Sequence, residues 1–156
     1  MSDDPLLPFW QAYLASLPDD YPSPAEPYFA SYFGDSAGLA HELGELVAAG
    51  IKGGTTGLLK GYEADQEPLP VAGTREIVTE FDGNPLCVIE ITDVEIKPFR
   101  EVDAQFAYDE GEGDRSLVYW RDAHIRFFTR ECARYGWEFN EEMLVVCARF
   151  RKVFPE

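Results

Sequence analysis

The feature that most constrains the fold is a pair of extended segments joined by a tight turn. Residues 75–81 alternate between the two faces of a strand, and residues 86–96 contain the run CVIEITDVEI, which is rich in β-branched residues. Between them, Asp82-Gly83-Asn84 has the composition of a β-hairpin turn. Such a run is typical of a strand that is buried on both faces or that closes a barrel. The sequence therefore predicts a hairpin whose second strand lies deep in the protein.

Apolar residues recur at helical spacing in three other segments. Serine or aspartate at the start of a helix and glycine just past its end are favoured capping residues. The first predicted helix covers about residues 5–17. The second begins at an N-cap at Asp35 or Ser36 and ends at Gly50. The third begins at an N-cap at Asp114 and ends at Gly136.

Two more strands are predicted at residues 55–59 and 143–154. Helices and strands in this order indicate an α+β fold, in which helices flank a small β-barrel. No linker divides the chain, so we expect a single domain over residues 1–156. Within it, an N-terminal helix and a rigid, proline-rich connector cover about residues 1–27, and the barrel covers about residues 28–156.

Net charge limits the ligands that the surface can attract. The 156 residues include 29 acidic and 13 basic side chains, for a formal charge of −16. This balance argues against loose affinity for polyanions, since nonspecific nucleic-acid binding needs cationic surface. The basic residues are concentrated towards the C-terminus, however, where Arg126, Arg130 and Arg134 repeat every four residues. The sequence leaves open a basic binding face, or arginines that only solvate a helix.

The cysteines and the N-terminus indicate the compartment. Cys87, Cys132 and Cys147 are odd in number, far apart and set in apolar surroundings. We therefore expect reduced, buried thiols rather than disulfides or a zinc site. The N-terminus is acidic where a signal peptide is basic, and no segment is apolar enough to span a membrane. These features predict a cytoplasmic protein with no membrane contact.

Several catalytic motifs are incomplete in this chain. The sequence HELGE at residues 41–45 lacks the second histidine of a zinc-protease motif, and neither a P-loop nor a nucleophile elbow is present. The acidic residues of the segment 109–114 lack EF-hand spacing, and by themselves they indicate a solvated loop with a helix cap. His124 lies on the inner face of its predicted helix and is interpreted as a core residue.

A more specific pattern lies where the second helix meets the next strand. Residues 50–56 read GIKGGTT, which contains the pattern G-x-K-x-x-T. Further along, Pro98-Phe99, FAYDEGEGD (residues 106–114) and YWRDAH (residues 119–124) follow the hairpin in order. In this ordered set the chain resembles the ASCH domain family of the PUA-like superfamily. The resemblance is to its larger bacterial members, which have the G-x-K-x-x-T and E-G-E-G-D motifs.

The resemblance implies a PUA-like barrel flanked by helices, with a cleft for RNA or nucleosides. Relatives cleave single-stranded RNA with the help of a divalent metal such as Mn²⁺ or Mg²⁺, or hydrolyse the acetyl amide of N(4)-acetylcytidine. Carried over by position, the catalytic residues of the second activity are Lys52, Thr55 and Glu110. No tightly bound cofactor is implied, and the metal ligands are not identified. Family members often have threonine directly after the lysine, where this chain has Gly53.

The chemistry of these residue types is coherent. A lysine with a depressed pKa can take a proton from a threonine hydroxyl, while a carboxylate orients the lysine or shuttles the proton. The backbone N–H groups of Gly53 and Gly54 are suited to cradle an anionic oxygen. In RNA cleavage the lysine would stabilise charge on phosphate instead. We expect Lys52, Thr55 and Glu110 to lie together in a cleft, each partly exposed.

Each of these residues also has a purely structural interpretation. Lys52 would complement the C-terminus of a helix, Thr55 would be an ordinary strand residue, and Glu110 would be a solvated loop acid. The residues predicted to contact substrate are Gly53, Gly54, Thr56, Arg126 and Arg130.

Three functions follow from the sequence and the resemblance. The favoured prediction is a hydrolase that cleaves single-stranded RNA, because the whole motif set matches the larger members. The alternative is an amidohydrolase of an acetylated nucleoside, which suits an acidic protein because a neutral nucleoside needs no cationic surface. The third is a noncatalytic RNA-binding module with aromatic side chains for base stacking. The oligomeric state is left open.

Overall fold

The computed structural model describes residues 6–19 and 29–155, so most of the predicted connector lies outside the described residues. The elements in chain order are α1 (Leu6–Ser16), β1 (Phe29–Ser31), α2 (Ala37–Ala48), β2 (Gly54–Leu58), α3 (Leu59–Ala64), β3 (Arg75–Thr79), β4 (Pro85–Pro98), a 3₁₀ turn (Phe99–Glu101), α4 (Ala104–Glu110), α5 (Leu117–Tyr135) and β5 (Leu144–Phe154). The strands form one sheet in the order β1-β3-β4-β5-β2. The sheet curls into a half-barrel with helices around it, which confirms the predicted mixed single domain.

The predicted hairpin is formed by β3 and β4, and β4 also pairs with β5 between Val88 and Pro98. Its first half, residues 87–91, is largely buried. Val88 packs with residues of α1, whereas Cys87 and Ile89 pack with Val47 of α2. Since adjacent residues of a strand point to opposite faces, the two helices cover opposite sides of the sheet. The prediction of two buried faces is wrong beyond residue 91, where most residues are exposed or half-buried.

A second apolar cluster joins α5, α4 and β5. Phe128 and Trp120 of α5 pack with Phe106 of α4 and with Val145 of β5. The inner face of α5 was predicted from its helical spacing, and its burial confirms that prediction. This cluster matters for function because it fixes α4 and α5 side by side at one end of the half-barrel.

The sequence prediction missed the short elements β1, α3 and α4. The omission of α4 is the important one, because residue 110 was assigned to a loop. The side chain of Asp103 caps α4 by accepting a hydrogen bond from the Phe106 N–H at 2.9 Å. Gly111 ends the helix with a φ of 74°, a left-handed conformation that glycine adopts without strain. A helix of only seven residues shows too little periodicity to stand out in the sequence.

The predicted N-cap of α5 at Asp114 is wrong by two residues. Ser116 is the N-cap, and its hydroxyl accepts a hydrogen bond from the Tyr119 N–H at 3.1 Å. The Asp114 carboxylate accepts instead from the Ser116 N–H at 2.9 Å, which extends the turn before the helix. The caps predicted for α2 are confirmed, with Ser36 at its start and Gly50, at a φ of 78°, beyond its end.

The three cysteines are buried, free thiols, as predicted. Burial raises the pKa of Cys87 to about 11 and that of Cys147 to about 12, so both are protonated at neutral pH. Within the described residues, no helix is both long and apolar enough to cross a membrane.

Candidate functional site

Lys52 lies in the short segment between α2 and β2, and its side chain is buried. Its ammonium nitrogen donates to the Gly54 carbonyl oxygen at 2.6 Å, to Glu110 at 3.1 Å and to Glu112 at 2.9 Å. An ammonium group has three N–H donors and a neutral amine has two. Three acceptors around one nitrogen therefore match the protonated form of Lys52.

Glu110 is the last residue of α4 and is 1% exposed. One carboxylate oxygen accepts from Lys52, and the other accepts from the Thr56 hydroxyl at 2.6 Å and from the Trp120 indole N–H at 2.5 Å. A buried carboxylate needs this many donors to offset the loss of water. The expectation of a partly exposed Glu110 is wrong, because α4 carries the residue into the interior.

Two residues that were not predicted to be functional complete the cluster. Glu112 follows the glycine that ends α4, and its carboxylate reaches the Lys52 ammonium. His124, on α5, places its Nε2 at 3.5 Å from a Glu110 oxygen. Its Nδ1 lies 2.9 Å from the Trp120 carbonyl oxygen, which can only accept, so Nδ1 must be protonated and Nε2 faces the carboxylates.

The sequence contained weak signals for both residues. Glu112 and His124 stand inside the EGEGD and YWRDAH motifs, but their chemistry was assigned to solvation and to the core. That Glu112 meets Lys52 and that His124 meets Glu110 depends on the packing of α4 against α5, which no local pattern specifies.

The charged groups of this cluster shift one another's pKa values. Burial by itself would lower the pKa of Lys52, but the Glu110 and Glu112 carboxylates outweigh it and raise that pKa above its usual range. Burial would raise the pKa of Glu110, but Lys52 and then His124 hold it well below its usual range. The hypothesis of a lysine with a depressed pKa that accepts a proton is therefore wrong. Lys52 is a fixed cation.

Glu112 and His124 differ from this fixed ion pair. Burial raises the pKa of Glu112, and the nearby Glu110 charge raises it further, against the opposing effect of Lys52. Burial would lower the pKa of His124, but Glu110 outweighs it and raises that pKa. Both pKa values are therefore raised, whereas that of Glu110 is lowered. A carboxylate with a raised pKa is better suited to act as a base than one whose pKa is held low.

A cavity of about 280 Å³ opens above the cluster. Lys52, Thr55 and Glu110, the three predicted catalytic residues, all line it. The others are Phe33, Gly34, Leu39, Leu43, Thr56, Glu112, Tyr119, Ala123, His124, Arg126, Phe127 and Arg130. Its floor is therefore charged, and aromatic rings form part of its walls. A pocket of this size suits a small molecule or one nucleotide unit.

The two threonines of the motif are placed differently. The Thr56 hydroxyl donates to Glu110 and is held by that bond. Thr55 also borders the cavity, and within the described residues its hydroxyl makes no hydrogen bond. Thr55 is therefore the threonine that is available to a ligand.

Gly53 and Gly54 lie behind the cavity rather than in its lining. The Gly53 N–H donates to the Asp109 carbonyl oxygen at 2.8 Å, so it has no free donor for an anion. A Cβ atom on Gly54 would lie 3.4 Å from the Glu110 side chain. The glycines let β2 pass close to the end of α4, and the predicted backbone cradle is not formed by Gly53.

Arg126 and Arg130 line the cavity from α5. Both are exposed, and Arg130 pairs with Asp35 at 3.1 Å. Within the described residues Arg126 makes no ion pair, so its charge is available at the cavity wall.

The cluster contains donor atoms of the kind that a divalent metal, implied by the resemblance, would need. Glu110, Glu112 and His124 have one ligand atom each within 4.8 Å of the others, which is a suitable donor set. The Lys52 ammonium, however, already binds both carboxylates. A divalent ion placed there would meet a buried positive charge at contact distance, so the residues do not fit a metal while Lys52 is in place.

Fold and site together define a mixed α/β domain of the PUA-like class with a cavity that has a charged floor. The model of the ASCH domain family matches residues 29–154, and the chain belongs to that family. The PUA-like fold of this family is often linked to RNA binding.

Two solved structures show the same fold. The ASCH domain from Lactobacillus crispatus JV V101 is 36% identical, with a TM-score of 0.85, and the match covers 97% of this chain and 95% of that one. Protein EF3133 from Enterococcus faecalis V583 is also 36% identical, with a TM-score of 0.82, over 96% of this chain and 88% of that one. No curated protein matches the chain significantly.

Proposed function

We propose that the cavity is a hydrolytic active site that removes an acyl group from the amino group of an acylated nucleobase, such as N(4)-acetylcytidine. The observation that carries the proposal is the buried Lys52–Glu110–Glu112 cluster at the floor of a cavity of about 280 Å³. A fixed cation beside a carboxylate with a raised pKa is what amide hydrolysis needs. The charge of −16 also favours a neutral ligand over a polyanion.

The proposed reaction assigns one role to each group. The Thr55 hydroxyl oxygen attacks the acyl carbonyl carbon, and its proton passes to the Glu112 carboxylate. The positive charge of the Lys52 ammonium stabilises the negative oxygen of the tetrahedral intermediate through space, since its three N–H groups are already bonded. The carbon–nitrogen bond then breaks, and Glu112 returns the proton to the leaving amine. Water hydrolyses the threonine ester with the same base, which releases the acid and restores Thr55.

Glu110 supports this reaction but takes no part in the proton transfer. Its lowered pKa keeps it ionised, and it holds Lys52, Thr56 and Trp120 in place. It is therefore a positioning residue, in contrast to the direct catalytic role that the resemblance implies for it.

The test is hydrolysis of N(4)-acetylcytidine, followed by chromatographic detection of cytidine. Wild-type protein should release cytidine, and Thr55→Ala should lose more than about a hundredfold in rate, because it removes the nucleophile. Thr92→Ala is the matched control, since Thr92 is exposed on β4 outside the cavity. Folded wild-type protein that releases no cytidine, or a Thr55→Ala variant with the wild-type rate, would contradict the proposal.

A second candidate is cleavage or binding of single-stranded RNA, as the sequence first favoured. The observation behind it is that Arg126 and Arg130 border the same cavity. In this case the phosphate backbone would contact the arginines while one base enters the cavity, and Lys52 would stabilise charge on phosphate.

RNA binding predicts a strong dependence on salt. Because bound cations release counterions, affinity for a single-stranded oligonucleotide should fall steeply between about 50 and 200 mM salt. Arg126→Glu should weaken binding further, whereas Arg134→Glu, on the same helix but outside the cavity lining, should have a smaller effect. Fluorescence anisotropy measures both. If the protein does not bind the oligonucleotide at low salt, or if its affinity does not depend on salt concentration, the RNA function is eliminated.

A further inference from the structure

The donor set at the floor of the cavity is that of a divalent metal site. Two carboxylates and an imidazole converge within 4.8 Å, on Glu110, Glu112 and His124. The His124 Nδ1–H is bonded to the Trp120 carbonyl oxygen, which aims Nε2 at the carboxylates. Such a backbone bond on the other ring nitrogen is the usual support of a metal-ligating histidine.

A cation already lies at the junction of these donors. The Lys52 side chain is 1% exposed, and its ammonium lies 3.1 Å from Glu110 and 2.9 Å from Glu112. Its third N–H is bonded to the Gly54 carbonyl oxygen at 2.6 Å, so the group is held on three sides. The Phe33 ring also faces this nitrogen, with its centroid 5.2 Å away.

We infer that Lys52 is a built-in replacement for a divalent cation, so that this site works without metal and becomes a metal site when the lysine is removed. The inference does not depend on the substrate of the cavity. It follows from geometry, because the ammonium takes up the carboxylate oxygens that a metal would need. A metal and Lys52 would also repel each other at a distance where no water screens them.

The experiment compares Mn²⁺ binding to four proteins after chelation and dialysis, by titration with electron paramagnetic resonance detection of free Mn²⁺. The proteins are wild type, Glu112→Gln, Lys52→Ala and the double variant Lys52→Ala/Glu112→Gln. Lys52→Ala should gain one Mn²⁺ site at least tenfold tighter than any site of the wild type, and the double variant should lose that site. A second group of possible ligands, His41, Glu45 and Glu80, is unchanged in all four proteins, so weak binding to it cancels.

Wild type and Glu112→Gln provide the measurement that does not depend on the lysine variant being folded. We expect identical Mn²⁺ titrations for these two proteins, since Mn²⁺ has no access to the Glu112 carboxylate. A wild-type site that Glu112→Gln removes would overturn the inference, and so would a folded Lys52→Ala variant that gains no site. Melting curves supply a second readout, because Mn²⁺ should raise the melting temperature of Lys52→Ala and leave that of wild type unchanged.

The outcome is separable from the proposed function. If wild type hydrolyses no acylated nucleoside but shows the expected Mn²⁺ pattern, the activity is wrong and the inference stands. If hydrolysis occurs and wild type binds Mn²⁺ through Glu112, the inference about Lys52 is wrong and the proposed activity stands.

Discussion

Replacing Lys52 by methionine should destabilise the protein by about 3–5 kcal/mol, the usual effect of removing one partner from a buried ion pair. Glu110 is 1% exposed and would keep its charge next to an apolar side chain. For a chain of this length, the loss corresponds to a decrease in melting temperature of roughly 10 °C. The large effect follows from the burial of Lys52, which the sequence had predicted to be partly exposed.

The prediction has an internal control in the partner residue. Glu110→Gln in the Lys52→Met background should recover part of the stability, since it removes the uncompensated charge and keeps an acceptor for Trp120. Lys60→Met is the matched control, because Lys60 is exposed and its ammonium lies over the Trp137 ring, and it should cost at most about 1 kcal/mol. Equal losses in the two lysine variants would show that the buried pair does not stabilise the fold.

The Lys52–Glu110 pair also predicts how the stability difference between wild type and Lys52→Met changes with pH. The pKa of Glu110 is lowered on folding, so its contribution to stability is present above its unfolded pKa and is lost as the pH falls through the folded value. The difference between wild type and Lys52→Met should therefore be largest near neutral pH and shrink towards acid pH. Denaturant titrations at several pH values measure it.

Glu112→Gln should reduce the rate of acyl-nucleoside hydrolysis by roughly a hundredfold to ten-thousandfold, the range for loss of a general base. The amide side chain has nearly the same shape, but it cannot take the proton from Thr55. Stability should change less than in Lys52→Met, because the Glu112 side chain is 17% exposed and Glu110 still pairs with Lys52. Glu95→Gln, at an exposed residue of β4 outside the cavity, is the matched control.

The pH profile separates a base from a residue that only positions Lys52. Because the base must be ionised, the wild-type rate should rise with pH through the raised pKa of Glu112 and then level off. In Glu112→Gln that rise should disappear from the residual activity. A variant that is slower but keeps the rise would assign the titration to another group and leave Glu112 a positioning role.

The sequence specified the parts of the fold that depend on local patterns. The hairpin, the helix α2 with its caps at Ser36 and Gly50, and the apolar face of α5 could all be read from residues close together in the chain. The same holds for the ordered motifs that indicated the ASCH family. Local patterns also predicted that Lys52 lies just after the end of α2, since helix caps are short-range features.

Only the tertiary structure decided what Lys52 is next to, and therefore what it does. Glu110 and Glu112 are 58 and 60 residues away in the chain, and α4, which places both, is too short to be seen in the sequence. The pKa values that turn Lys52 into a fixed cation, and Glu112 into the proposed base, come from burial and from charges at 3 Å. Both depend on how α4 and α5 pack at the end of the half-barrel. A local sequence pattern does not show how close residues far apart in the chain come to each other.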